Sequence, residues 1–102
     1  MIRHIVLTRF SPGTSEATVN QIYSDLQGLT NILPGARNFA GGRSQSPEQI
    51  ERGYMHGFTI DFDSWDALKI YAEHEEHKVL GAQIVANAVG GVNGILVLDI
   101  EC

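Results

Sequence analysis

The sequence predicts an α+β fold in which one four-stranded antiparallel sheet carries its helices on a single face, in the order β-α-β-β-α-α-β. Three observations carry the prediction. Residues 2 to 10, IRHIVLTRF, are rich in β-branched and apolar side chains and stop at Ser11-Pro12-Gly13, a strand followed by a breaker. Residues 54 to 62 alternate strictly between two faces, the period of a half-buried strand. Three other stretches repeat apolar residues at steps of three and four, the period of a helix that buries one side.

After the first strand, Val19, Ile22, Tyr23, Leu26 and Leu29 fall on one line of a helix from Thr14 to Leu29. Thr14 or Ser15 caps it, and Glu16 sits in the first turn, where the helix dipole favours an acid. The run Asn31-Ile32-Leu33-Pro34-Gly35 ends it. Ala36 to Gln45 reads as a second strand that Gly41-Gly42 weakens or bulges. Ser46 to Gly53 is a polar loop around Pro47, with room for one helical turn over Pro47 to Ile50. In the third strand Tyr54, His56, Phe58, Ile60 and Phe62 share one face, and Met55, Gly57, Thr59 and Asp61 the other. Ser64 then caps a short helix to Ala72 with Trp65, Leu68 and Ala72 on its buried stripe. The cluster Glu73-His74-Glu75-Glu76-His77 follows. A third helix from His77 to Ala88 lines up Leu80, Ile84 and Ala88 and stops at Gly90-Gly91, and Asn93 to Ile100 is the last strand. This is the ferredoxin-like plan. It leaves one face of the sheet bare, and a second sheet packed there would cover apolar rows that water penalises at about 25 cal/mol per Å².

The 102 residues suit one domain spanning positions 1–102. A chain of this size buries only about 60 to 65% of its unfolded surface, so it gains stability by covering more with a second copy. The composition, 43% hydrophobic and 19% charged, is that of a packed domain and excludes disorder. A net charge of −5 with seven scattered Lys and Arg offers no basic stripe for a phosphate backbone, so no nucleic acid partner is expected. No apolar run approaches the roughly 20 residues that span a bilayer, and the N-terminus reads as a strand, not a leader. A cytoplasmic protein without membrane contact is expected. Cys102 is the only cysteine, which excludes an internal disulfide or a CxxC pair.

Met1-Ile2-Arg3-His4-Ile5-Val6-Leu7, Pro12-Gly13-Thr14-Ser15-Glu16, Leu33-Pro34-Gly35, Gly53-Tyr54-Met55-His56-Gly57 and Ile95-Leu96-Val97-Leu98-Asp99 occur in the order and spacing of one family's landmarks. Through them the chain resembles the stress-responsive A/B-barrel domain family over nearly its whole length. The resemblance implies a homodimeric α+β barrel with a cavity between each sheet and its helices. It also implies a candidate activity, since the family's best-understood member is a cofactor-free plant polyketide cyclase. His4, His56, Tyr71 and His77 stand at positions that look like that enzyme's cavity residues. His77 would be the general base of an intramolecular aldol condensation, and Tyr71 its partner. Where the family often has a proline after the first histidine of this cluster, the chain has Glu75. Glu75 and Glu76 are expected to favour a protonated His77.

An imidazole with an ordinary pKa near 6.5 can take a proton from a carbon between two carbonyls without metal or cofactor. A bend between the second and third helices could carry the Tyr71 hydroxyl toward His77. The plainer alternative makes His74 and His77 solvated residues at a charged junction. His4 shares a strand face with Val6, and His56 with Phe58, so these four are candidates to line a small-molecule cavity or, as plainly, hydrogen-bonded core positions. The i,i+3 histidines lack the i,i+4 spacing and third ligand of a zinc site, and Gly41-Gly42-Arg43 lacks the context of a phosphate loop; no metal, nucleotide or other cofactor is expected. Two functions follow. One is a cofactor-free acid/base enzyme on a polyketide-like β-dicarbonyl. The other is a non-catalytic stress-associated dimer, its cavity binding a small apolar ligand or simply filled. Cofactor-free oxygenation, known in other dimeric α+β barrels, finds no support in these residues.

Overall fold

A computed structural model describes residues 1–102. Its elements are β1 (Ile2–Thr8), α1 (Glu16–Ile32), β2 (Ala36–Arg43), β3 (His56–Phe62), α2 (Trp65–Glu73), α3 (Glu75–Asn87), a 3-10 turn (Gly91–Gly94) and β4 (Ile95–Glu101). The sheet has four strands in the order β2-β3-β1-β4, with every pairing antiparallel. This is the ferredoxin-like α+β plan expected from the sequence.

The first strand stops at Thr8 rather than Phe10, because Arg9 and Phe10 leave the sheet to bond Gly94 and the segment after α3. Ser15, not Thr14, caps α1, its hydroxyl accepting from the Thr18 N–H at 3.1 Å. The helix runs on to Ile32, where Pro34 halts it. The bulge in β2 falls between Arg37 and Ala40, where Asn38 takes φ 58°, instead of at the glycine pair. Gly41 has a different duty. A Cβ there would lie 2.8 Å from the Phe58 Cβ and 3.1 Å from the Tyr23 ring, so only glycine lets α1 and β3 close over this point. Tyr54 and Met55 belong to the loop, the Tyr54 N–H bonding the Glu51 carbonyl, so β3 begins at His56. The loop's Pro47 and Glu48 form a turn without a helical segment.

In α2 the buried side chains are Ala67 and Tyr71. The expected stripe of Trp65, Leu68 and Ala72 is corrected on two members. Trp65 is half exposed and donates its indole N–H to Glu101 at 2.9 Å, and Ala72 is exposed. An indole needs a partner for its N–H, which it finds at the sheet edge, so the helix turns the Tyr71 side inward. The third helix begins two residues earlier than expected, and β4 two residues later, after the 3-10 turn.

The core lies between the helices and one sheet face. Ile2 and Val6 of β1, Phe58, Ile60 and Phe62 of β3, Leu26 and Leu29 of α1, and Leu80 and Ile84 of α3 form one buried cluster. Truncating Phe62, which is fully buried, to alanine should cost about 3–5 kcal/mol. On the opposite face the register sets Leu7 beside Leu96 and Ile5 beside Leu98. Leu96, Leu98 and Ile100 stand about half exposed there. The apolar surface left bare therefore comes from β1 and β4, whereas strand β3 offers that face Gly57, Thr59 and Asp61.

Candidate active site

The junction of α2 and α3 builds the first half of the site. His74 adopts φ −66°, ψ 135°, which ends α2 and opens α3 in a single residue. Its N–H donates to the Tyr71 carbonyl at 3.2 Å, and its Nδ1 accepts from the Glu76 N–H at 3.1 Å. The bend turns His77 back over α2, so that its ring lies 4.4 Å from the Tyr71 ring, centroid to centroid. His77 Nδ1 lies 3.0 Å from the Ala72 carbonyl oxygen. A carbonyl only accepts, so Nδ1 carries the proton and Nε2 keeps its lone pair.

The second half comes from the sheet. His4 is buried, and its Nδ1 lies 2.6 Å from an Asp99 carboxylate oxygen. The two residues are direct cross-strand partners in β1 and β4. A carboxylate also only accepts, so this imidazole too is held with Nδ1–H anchored. Its ring meets Tyr71 edge-on at 5.7 Å. Tyr71 thus touches both imidazoles, and its own hydroxyl is buried without any hydrogen-bond partner.

Between α3 and the sheet lies a cavity of about 320 Å³, with His4 and His77 at one side and Val6, Phe58, Ile84 and Val97 among its walls. Of the six side chains singled out in the sequence, it gathers His4, Val6, Phe58 and His77. Tyr71 packs behind the two imidazoles and is not itself part of the wall. His56 lies elsewhere: its Nε2 is 3.0 Å from both carboxylate oxygens of Glu16, which also accepts from Arg43 at 3.0 Å. That trio borders a separate cleft of about 120 Å³ beside Phe10. A larger hollow of about 690 Å³, over Leu7, Gly42, Gly57 and Leu96, occupies the uncovered face of the sheet. The cavity of about 320 Å³ is the candidate site because both anchored imidazoles converge on it.

Burial holds the His77 pKa below the ordinary histidine value, and the nearby His4 and His74 add to that, against the pull of the Ala72 carbonyl. The expectation that Glu75 and Glu76 would favour a protonated His77 is corrected. Both acids are exposed, and Glu75 reaches toward Lys78 at 3.5 Å. Water screens them, whereas the half-buried imidazole feels desolvation. Burial likewise pushes the Tyr71 phenol upward, which keeps it a neutral donor. No three His, Cys, Asp or Glu side chains are grouped to hold a metal ion. No helix is long and apolar enough to cross a membrane.

Asp99 was not among the residues the sequence pointed to. Only the register of β1 against β4 brings it to His4, and no local motif announces a pairing across 95 positions. Gly81, which also borders the cavity, carried no signal in a helix pattern defined by its apolar positions.

Fold and site together define a ferredoxin-like α+β domain with a histidine-lined cavity between its sheet and helices. Residues 2–102 match the model of the stress responsive A/B barrel domain, and the chain belongs to that family. It is similar to the stress-response A/B barrel domain-containing protein HS1 of Arabidopsis thaliana, 26% identical over 96% of this chain and 86% of that protein. It is also similar to the olivetolic acid cyclase of Cannabis sativa, 24% identical over 78% of this chain and 79% of the cyclase. Among solved structures, a dimeric ferredoxin-like protein of unknown function from Jannaschia sp. CCS1 superposes with a TM-score of 0.92 at 32% identity, over 99% of this chain and 98% of that one.

Proposed function

We propose that the chain, acting as one domain, is a cofactor-free acid/base enzyme that abstracts a proton from carbon in a polyketide-like β-dicarbonyl substrate. The observation that carries this reading is the anchored His77: Nδ1–H on the Ala72 carbonyl, Nε2 free, in a ring at the cavity whose burial disfavours its charged form. In the proposed reaction Nε2 takes a proton from the methylene between two carbonyls. Tyr71, packed against the His77 ring at 4.4 Å behind the cavity wall, holds the imidazole in place as its partner. The enolate carbon then attacks a second carbonyl carbon of the same chain, forming the C–C bond. The alkoxide that results takes the proton back from the His77 imidazolium. A positioned base of this kind contributes about 10²–10⁴-fold. The similarity to olivetolic acid cyclase supports the aldol direction.

The same reading includes a homodimer. The exposed row Leu96, Leu98 and Ile100 needs a cover, and the Jannaschia protein is described as dimeric. Light scattering should give twice the chain mass, and a monomer at micromolar concentration would contradict this part of the proposal. The catalytic part is tested by incubating wild type and His77→Ala with a β-polyketide thioester. Loss of turnover with unchanged circular dichroism is expected. Equal turnover in both would overturn it. Saturable binding with no turnover by wild type would favour the second reading, a carrier or binding protein for small apolar ligands, to which the largely apolar walls of the cavity are suited.

A further inference from the structure

The cavity between α3 and β4 contains a position where the fold leaves room that it does not itself require. Gly81 lies inside α3, where glycine is among the poorest helix formers. It does not take a positive φ, and a Cβ built on it meets nothing within 4 Å. Neither backbone conformation nor close packing therefore calls for glycine here. The sheet glycines Gly41 and Gly57 differ in this respect, since a Cβ there would come within 2.8 Å and 2.7 Å of a neighbour, respectively. Gly28, in α1, is equally unhindered, but it is exposed on the outer side of its helix. Gly81 borders the cavity, one helical turn beyond His77 on the same side of α3 and near Val85 and Val97.

We propose that Gly81 sets the size of the ligand that the cavity accepts. A ligand whose acidic carbon sits at His77 would pass its apolar body over Gly81, between α3 and β4. The class it fits is a β-dicarbonyl with a bulky apolar substituent, such as an aryl or long alkyl chain, on one carbonyl. A side chain at position 81 would occupy the space of that substituent and leave the dicarbonyl end free. This inference rests on the proposed acid/base site for the direction of the ligand, but its test reads binding rather than turnover.

The experiment uses calorimetric titration of the full chain with two probes, benzoylacetone and acetylacetone. Wild type is compared with Gly81→Ala, Gly81→Leu and the control Gly28→Leu, each first checked for folding by thermal melting. Benzoylacetone should bind about tenfold more weakly to Gly81→Leu, with Gly81→Ala in between, while acetylacetone changes by less than about twofold. Gly28→Leu should alter neither. Equal loss for both probes, an equal effect of Gly28→Leu, no effect of Gly81→Leu, or no saturable binding of benzoylacetone to wild type would each overturn the inference. Deuterium exchange into bound benzoylacetone separates it from the acid/base reading. A graded Gly81 effect on binding with no His77-dependent exchange would sink that reading and leave this one standing. The reverse pattern would sink this one alone.

Discussion

The Tyr71 ring packs against both anchored imidazoles, 4.4 Å from His77 and 5.7 Å from His4. This places a neutral phenol against two bases whose Nδ1 atoms are both engaged, one by the Ala72 carbonyl and one by Asp99. The arrangement orders the roles. Tyr71, whose pKa burial raises, stays a neutral phenol. His77, whose pKa burial lowers, stays unprotonated near neutrality and so is available as the base.

The pH dependence of the reaction follows from that ordering. Turnover should be flat above the ordinary histidine value of about 6.5 and should fall only at lower pH, as His77 protonates. Stability should move in the same direction. The unfolded imidazole binds its proton at a higher pH than the folded one, so the unfolded state takes up more protons in the interval between the two values. The stabilising contribution is present above the unfolded value and is lost as pH falls through the folded one. A kcat/KM profile with its acidic limb at or above pH 6.5 would contradict the assignment.

Replacing Tyr71 by phenylalanine should separate stability from activity. The hydroxyl is buried without a partner, and an unsatisfied buried group costs about 1–3 kcal/mol. Tyr71→Phe should therefore stabilise the fold by about 1 kcal/mol and raise Tm by a few degrees. It should leave kcat within about a few-fold, because the ring that supports His77 is kept. A melt and a progress curve on the same sample check both, and a loss of kcat with the fold intact would contradict the placing of Tyr71 behind the cavity wall.

In the proposed site Asp99 positions the His4 ring at the cavity by holding its Nδ1. Asp99→Ala should free the His4 ring, whose only side-chain partner is this carboxylate, and should lower kcat more than it raises KM. Asp99→Asn, which can still accept from Nδ1, should recover much of the loss. If both variants behave alike and only Tm changes, the pair is structural.

The fold was legible because its signals are local and redundant. The alternation of residues 56–62 and the spacing of Val19, Ile22, Leu26 and Leu29 hold regardless of what packs against them. What misled the reading depends on three-dimensional context. Trp65 resembled a core residue by spacing, but its N–H is satisfied at Glu101, at the far end of the chain. Glu75 and Glu76 sit next to His77 in sequence, yet they stand in water while the imidazole turns back over α2. His56 shares its strand face with Phe58, yet it lines the two hollows beside Arg43 and not the cavity of His4 and His77. Asp99 needed the strand register, and the duty of His74 as the cap between two helices needed its backbone angles.

Long-range proton–nitrogen NMR of the histidine rings during a pH titration reports whether His77 is a neutral base with its proton on Nδ1. Its signals should show the Nδ1–H tautomer at pH 7 and titrate below the ordinary value of about 6.5. An Nε2–H tautomer, or a midpoint at or above that value, would contradict that role for His77.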